Sequence, residues 1–123
     1  MSIEQANTID FLIHDKKGRR AVMFISDHLG WEQDEDGHLE LLQDKLNHYI
    51  WAIEHGKIVE AMPELKGLPV SVVVWGDHPL SDDAQRFYDL AKARASELGF
   101  TLDFDLDGKS FENRQVVNIN YNP

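Results

Sequence analysis

The run Val70-Ser71-Val72-Val73-Val74-Trp75, with Pro69 before it and Gly76 after it, constrains the fold more than any other segment. Side chains of an extended chain alternate between two faces, and here both faces receive apolar groups. Such a strand is buried on both sides and belongs in the interior of a sheet. Helical periodicity stands on either side of it. Leu39, Leu42, Leu46, Tyr49, Ile50 and Ile53 share one face of a helix from about His38 to His55, stopped by Gly56. After the run, Ser81 is a good N-cap with Asp82 and Asp83 in the first turn. Ala84, Phe87, Tyr88, Ala91, Ala95 and Leu98 then recur at helical spacing before Gly99. Residues 8–14 and 20–26 alternate as two strands of a hairpin about Gly18.

Residues 58–68, punctuated by Pro63 and Gly67, read as an irregular connection with room for one helical turn. Leu102, Phe104 and Leu106 alternate with three aspartates as a further strand with those aspartates facing water. Asp107-Gly108 marks a turn, and Gln115 to Tyr121 suits a final edge strand. The expected fold class is α/β, of the two-layer α+β kind: a ββαβαβ(β) mixed sheet with two helices packed on one face, in a single domain over residues 1–123.

Composition removes several functions. The chain has 123 residues, 42% of them apolar, and no apolar run of the ~20 residues that cross a bilayer. Its opening residues lack the basic and apolar regions of a secretory leader, so a cytoplasmic location and no membrane partner are expected. It has no cysteine, and hence no disulfide, thiolate ligand or thiol nucleophile. A net charge of −10 opposes binding to phosphate backbones, so nucleic acid is not an expected partner. The cluster Lys16-Lys17-Gly18-Arg19-Arg20 holds four of the twelve basic residues and reads as an exposed hairpin turn kept soluble by charge.

Ile9-Asp10-Phe11, Asp27 with Trp31, the helical stretch from Leu42 to Tyr49 and Lys66-Gly67-Leu68-Pro69-Val70 together resemble a family of small bacterial proteins known only as a domain of unknown function. The resemblance spans roughly residues 8–106. It implies a compact α/β fold and bacterial origin, and it brings no catalytic residue with it. The tail after Gly108, and His28 and His78, stand outside the family's pattern.

Three groups of residues could carry chemistry. Asp27-His28 follows the second strand and Asp77-His78 the third. If those strands are parallel neighbours, both pairs lie at the carboxyl edge of the sheet, where two Asp and two His could hold zinc or another divalent metal. No other cofactor is expected. Asp103, Asp105, Asp107 and Gly108 match the first half of a calcium loop, but Arg114 stands where a bidentate Glu is required. Third, Asp44, His48, Trp51 and His55 follow i, i+4, i+7, i+11 spacing on the helical face opposite the leucines. A tryptophan among polar residues there is either an interface anchor or is covered by the chain's own residues 109–123.

No nucleophile elbow, phosphate loop, dinucleotide fingerprint or zinc-protease motif occurs, so catalysis is not the expected role. The favoured function is a non-catalytic protein-binding module that uses Trp51, Asp44, His48, His55 and Trp31. Its acidic surface would hold a basic partner, as immunity proteins of similar composition neutralise toxins. The alternatives are a metal-binding protein or metal-dependent hydrolase built on the Asp-His pairs, and a homodimer joined through the outer face of the first helix.

Overall fold

The computed structural model describes residues 2–107 and, for the backbone only, 117–119. Strands β1 (Phe11–Asp15) and β2 (Arg20–Asp27) form the expected hairpin, pairing antiparallel with Leu12 opposite Met23. Helix α1 (Glu35–Glu54) leads to a short helix α2 (Lys57–Ala61) and a 3-10 turn at Pro63–Leu65. Strand β3 (Val70–Gly76), helix α3 (Asp82–Leu98) and strand β4 (Thr101–Leu106) follow, and β5 (Val117–Ile119) closes the series. The sheet order is β4-β3-β2-β1-β5. Strands β2, β3 and β4 run parallel, while β1 pairs antiparallel with both β2 and β5. The apolar β3 therefore lies inside the sheet, as its two-sided pattern requires, and the last strand is at an edge.

Capping chemistry sets the helix ends. Asp34 accepts a hydrogen bond from the Gly37 amide, and Glu35 and Asp36 occupy the positive first turn of α1. Glu35 and Asp36 thus belong to the helix, which starts three residues earlier than the apolar periodicity alone indicates. Ser81 caps α3 through the Ala84 amide, and Gly99 ends it at φ 89°, a left-handed conformation that glycine adopts without strain.

One cluster joins Leu42, Leu46, Tyr49 and Ala52 of α1, Ile58 of α2 and Ala84, Tyr88 and Ala95 of α3 to Leu12, Met23, Ile25, Val72, Val74 and Leu102 of the sheet. Ile13, Val22, Phe24 and Val73 form a second cluster with Phe11 and Trp75 on the other face, and among the described residues no helix residue joins it. The helices share one face, as expected, with the short α2 as a third member. Each fully buried aliphatic side chain contributes about 1.5–3 kcal/mol, so burial on both faces of β2 and β3 stabilises the centre of the sheet.

The basic turn is only partly the solvated loop that its sequence suggests. Lys16, Lys17 and Arg19 are exposed, but Arg20 is half-buried. Its Nε donates to Asp15 Oδ2 at 3.0 Å and its guanidinium reaches Ser71 Oγ at 3.2 Å. Asp15 is itself buried and also accepts from the Gly18 amide, so Arg20 neutralises a carboxylate that the turn needs.

Candidate functional site

Helix α1 carries two stripes of identical spacing. His38, Leu42, Lys45 and Tyr49 point inward; Asp44, His48, Trp51 and His55 occupy the outer face. The inward stripe contains three ionisable groups, His38, Lys45 and Tyr49, and all are bound internally. Lys45 is fully buried, with Nζ 2.7 Å from Asp10 Oδ1, 2.6 Å from the Gln5 carbonyl and 2.8 Å from the Thr8 carbonyl. Burial lowers its pKa, and the hydrogen bond and charge of Asp10 oppose that shift. Asp10 Oδ2 accepts from the Ser26 amide, its own amide donates to the Tyr49 hydroxyl at 2.8 Å, and that hydroxyl donates to the Phe24 carbonyl.

At the start of the same helix, His38 Nε2 lies 2.6 Å from Asp27 Oδ2 and Nδ1 lies 3.0 Å from the Gly30 carbonyl. The Trp31 ring stacks on the imidazole at 3.5 Å between centroids. Both ring nitrogens are engaged, so His38 is a structural clamp on the β2–α1 loop with no nitrogen left for a substrate.

The parallel pairing of β2 and β3 brings the two Asp-His pairs to one edge, with Asp27 in register with Gly76 and the Asp77 amide donating to the Asp27 carbonyl. The four side chains do not gather at one point. Asp27 is buried against His38, and His28 is exposed and 3.0 Å from Glu4 Oε1. Asp77 and His78 are exposed, and His78 shares with His28 a cleft of about 610 Å³ that Pro79 and Ser81 also line. Among the described residues no three His, Asp or Glu side chains stand together to hold a metal ion. The calcium-loop aspartates separate too. Asp105 is buried and partnered, not facing water, while Asp103 and Asp107 are exposed; Gly108 and Arg114 lie outside the described residues.

Trp31, named by its sequence position as a partner-binding residue, is buried in the main core against His38, with 5% of its surface left at the cleft that His28 and His78 line. Stacking on an inward imidazole turns it in, a relation visible only once the phase of His38 is known.

The outer stripe of α1 is assembled as its spacing indicates. Trp51 is 44% exposed. Its ring stacks between His48 and His55, with centroids 5.5 and 5.1 Å away, and Lys57 Nζ stands 5.7 Å over it. The His55 ring is fixed by a 2.9 Å contact between Nδ1 and the Trp51 carbonyl. Beside the indole lies a cavity of about 410 Å³ lined by Ile9, Ala52 and Ile58, with Asn7 and Glu60 at its rim. Burial lowers the His48 pKa, and the nearby Lys45 charge lowers it further. One turn nearer the N-terminus, Asp34, Glu40 and Asp44 line a second cavity of about 510 Å³ with Leu29 and Leu41. The covering role considered for residues 109–123 concerns residues outside those described, apart from the backbone of β5.

A two-layer α+β domain with a mixed sheet, inward ion pairs on its first helix and an aromatic-polar stripe outside is the class that fold and site define. Within that class the chain belongs to the family of unknown function DUF6572, whose model matches residues 1–108. It matches none of the curated proteins or solved structures with which it was compared. No helix among the described residues is long and apolar enough to cross a membrane.

Proposed function

We propose that this chain is a non-catalytic protein-binding module that receives its partner on the outer face of α1, around Trp51. One observation carries the reading: an indole 44% exposed stacks between two imidazoles beside a cavity lined by Ile9, Ala52 and Ile58. Large, pre-ordered aromatic groups lose little entropy on binding and supply much of the energy of protein interfaces. The ionisable groups that converge elsewhere, Asp10 with Lys45 and Asp27 with His38, are bound to each other and to the backbone, which supports a structural use for them. Asp34 at the cap of the same helix, with Glu40 and Asp44 on it, favours a partner that offers basic residues next to an aromatic or apolar group, and the net charge of −10 speeds that encounter. The reading calls on no metal or cofactor, and its natural setting is the bacterial cytoplasm.

Photo-cross-linking tests it. A benzophenone side chain at Asn47, exposed on α1, is expected to capture protein in a Trp51-dependent way, whereas Trp51→Ala abolishes the product and Leu90→Ala, a change on exposed α3 surface, does not. Equal capture with and without Trp51 would overturn the reading.

A further inference from the structure

The outer stripe of α1 has a property that binding alone does not demand: its spacing of four, three and four residues reads the same in both directions. At 100° per residue, Asp44, His48, Trp51 and His55 fall within an arc of about 60°. Residues 44 and 55 are equidistant from the midpoint between 49 and 50, and so are 48 and 51. A second α1 laid antiparallel across that midpoint would bring Asp44 opposite His55 and His48 opposite Trp51, each contact made twice by symmetry. A parallel arrangement would instead set Asp44 against Asp44.

We propose that the occupant of this face is a second copy of the chain, packed antiparallel along α1 about a two-fold axis near residues 49 and 50. The inference rests on the outer face of α1 being a protein-binding surface and names what it binds. The chain meets the partner chemistry derived above, because it offers His55 and Lys57 to the acidic end of α1 and Trp51 to the aromatic stripe. Hydrogen-bond complementarity selects the direction: the carboxylate of Asp44 faces an imidazole and not a second carboxylate, and the exposed edge of each indole, whose faces His48 and His55 of its own chain hold, meets the partner's stripe. The cavity beside Trp51 gives the incoming ring room between Ile58 and Asn7. A contact limited to about three helical turns falls below the ~1,200 Å² of standard interfaces, so the dimer dissociates on dilution.

Sedimentation equilibrium over a wide concentration range is expected to show a reversible monomer–dimer equilibrium for the native chain. Asp44→Lys sets an ammonium group against His55, and His55→Glu sets a second carboxylate against Asp44. Each variant alone should dimerise about tenfold more weakly, since symmetry removes two exposed pairs at once and His55→Glu also sets two carboxylates against two others. Mixed together, the two variants should associate again. The ammonium introduced at position 44 of one chain then meets the carboxylate introduced at position 55 of the other, and the unaltered Asp44 meets the unaltered His55. Asp44→Lys alters only an exposed helical position, so its result does not depend on the helix end that His55 caps. Circular dichroism confirms that each variant is folded.

A native chain that stays monomeric throughout overturns the dimer, while the Trp51-dependent cross-link to a different protein would still stand. Single variants that dimerise like the native chain, or that fail to pair when mixed, overturn the antiparallel register. Loss of dimerisation together with Trp51-independent cross-linking removes the binding surface as well.

Discussion

Lys45 and Asp10 form an ion pair 2.7 Å long in which both side chains are entirely withdrawn from solvent. The pair ties α1 to the segment ahead of β1, because the same ammonium group binds the Gln5 and Thr8 carbonyls. Removing one member of a buried pair leaves the other charged without compensation, at about 3–5 kcal/mol. Lys45→Met is expected to lower stability by that amount, and Asp10→Asn added to it should restore part of the loss by removing the stranded charge. Denaturant midpoints of the single and double variants make the comparison. A double variant less stable than Lys45→Met would show that the hydrogen bonds of Asp10 outweigh its charge.

His38 and Asp27 make the second inward pair, and here the expectation differs because a ring stacks on the imidazole. His38→Ala leaves the Asp27 carboxylate with the Leu29 amide and opens a cavity against Trp31. We expect a loss of about 3 kcal/mol or more, with Trp31 moving to a more polar environment. Tryptophan emission, measured with Trp51 and Trp75 replaced by Phe, should shift to the red. An unshifted emission would mean that the β2–α1 loop holds Trp31 without the histidine.

The outer stripe of α1 was legible in the sequence because Trp51 is conspicuous among polar neighbours. The inner stripe has the same spacing and went unread, since Lys45 and His38 are residue types normally assigned to water. Their helical phase, three and four residues from Leu42, places them with the core, and Asp10 and Asp27 at strand ends are the anions that make such burial tolerable. Pairing across 35 residues depends on the sheet being assembled, which no local pattern states. The interior position of β3 followed from its two-sided hydrophobicity. Arg20 and Asp105 were misplaced for the opposite reason, each being drawn inward by tertiary contacts that alternation alone does not record.

Gly76 ends β3 under the ring of Phe104, where a Cβ would collide with that ring. Phe104 in turn packs edge-on against Tyr88, 5.6 Å between centroids, so it has little freedom to retreat. Gly76→Ala should therefore cost about 1–3 kcal/mol, as overpacked cores do, and Phe104→Leu in the same chain should recover much of it. Thermal melts of the two variants decide, and additive losses would show that the ring is not what limits this position.

Trp51→Ala separates binding from folding. The indole is half in solvent and its contacts are two exposed-face stacks and a lysine above the ring, so truncation should cost no more than about 1 kcal/mol of stability. Association should weaken by more than about 2 kcal/mol if the residue is an anchor. Denaturant midpoint and sedimentation are measured on the same sample. A large stability loss with unchanged association would make Trp51 a packing residue.

Alkaline pH should unfold the protein through its tyrosines. Burial raises the pKa of Tyr49 and Tyr88 above the ordinary 10.0, helped by the negative charges of Asp10 and Asp27 respectively. As pH passes 10 the unfolded chain gives up both phenolic protons while the native chain keeps them. The unfolded state then binds fewer protons, so stability falls as pH rises. Lys45 acts in the opposite sense over a limited window. Its native pKa is depressed by burial, so between that value and 10.5 the unfolded lysine retains a proton the native one has lost, and stability gains. That gain ends once the unfolded lysine has also titrated. Above about pH 10.5 the slope is therefore that of two protons, ~2.7 kcal/mol per pH unit. Tyr49→Phe and Tyr88→Phe should each halve it, although Tyr49→Phe also lowers stability at neutral pH by about 1–3 kcal/mol, because the Asp10 amide and Phe24 carbonyl lose their partner. Tyr88→Phe should not, since its hydroxyl is buried without a hydrogen bond among the described residues. Denaturant midpoints at a series of pH values give the slopes, and phenolate absorbance should appear for these two residues only as the chain unfolds. Phenolate formation ahead of unfolding, or an unchanged slope in both variants, would show that other groups govern the alkaline limit.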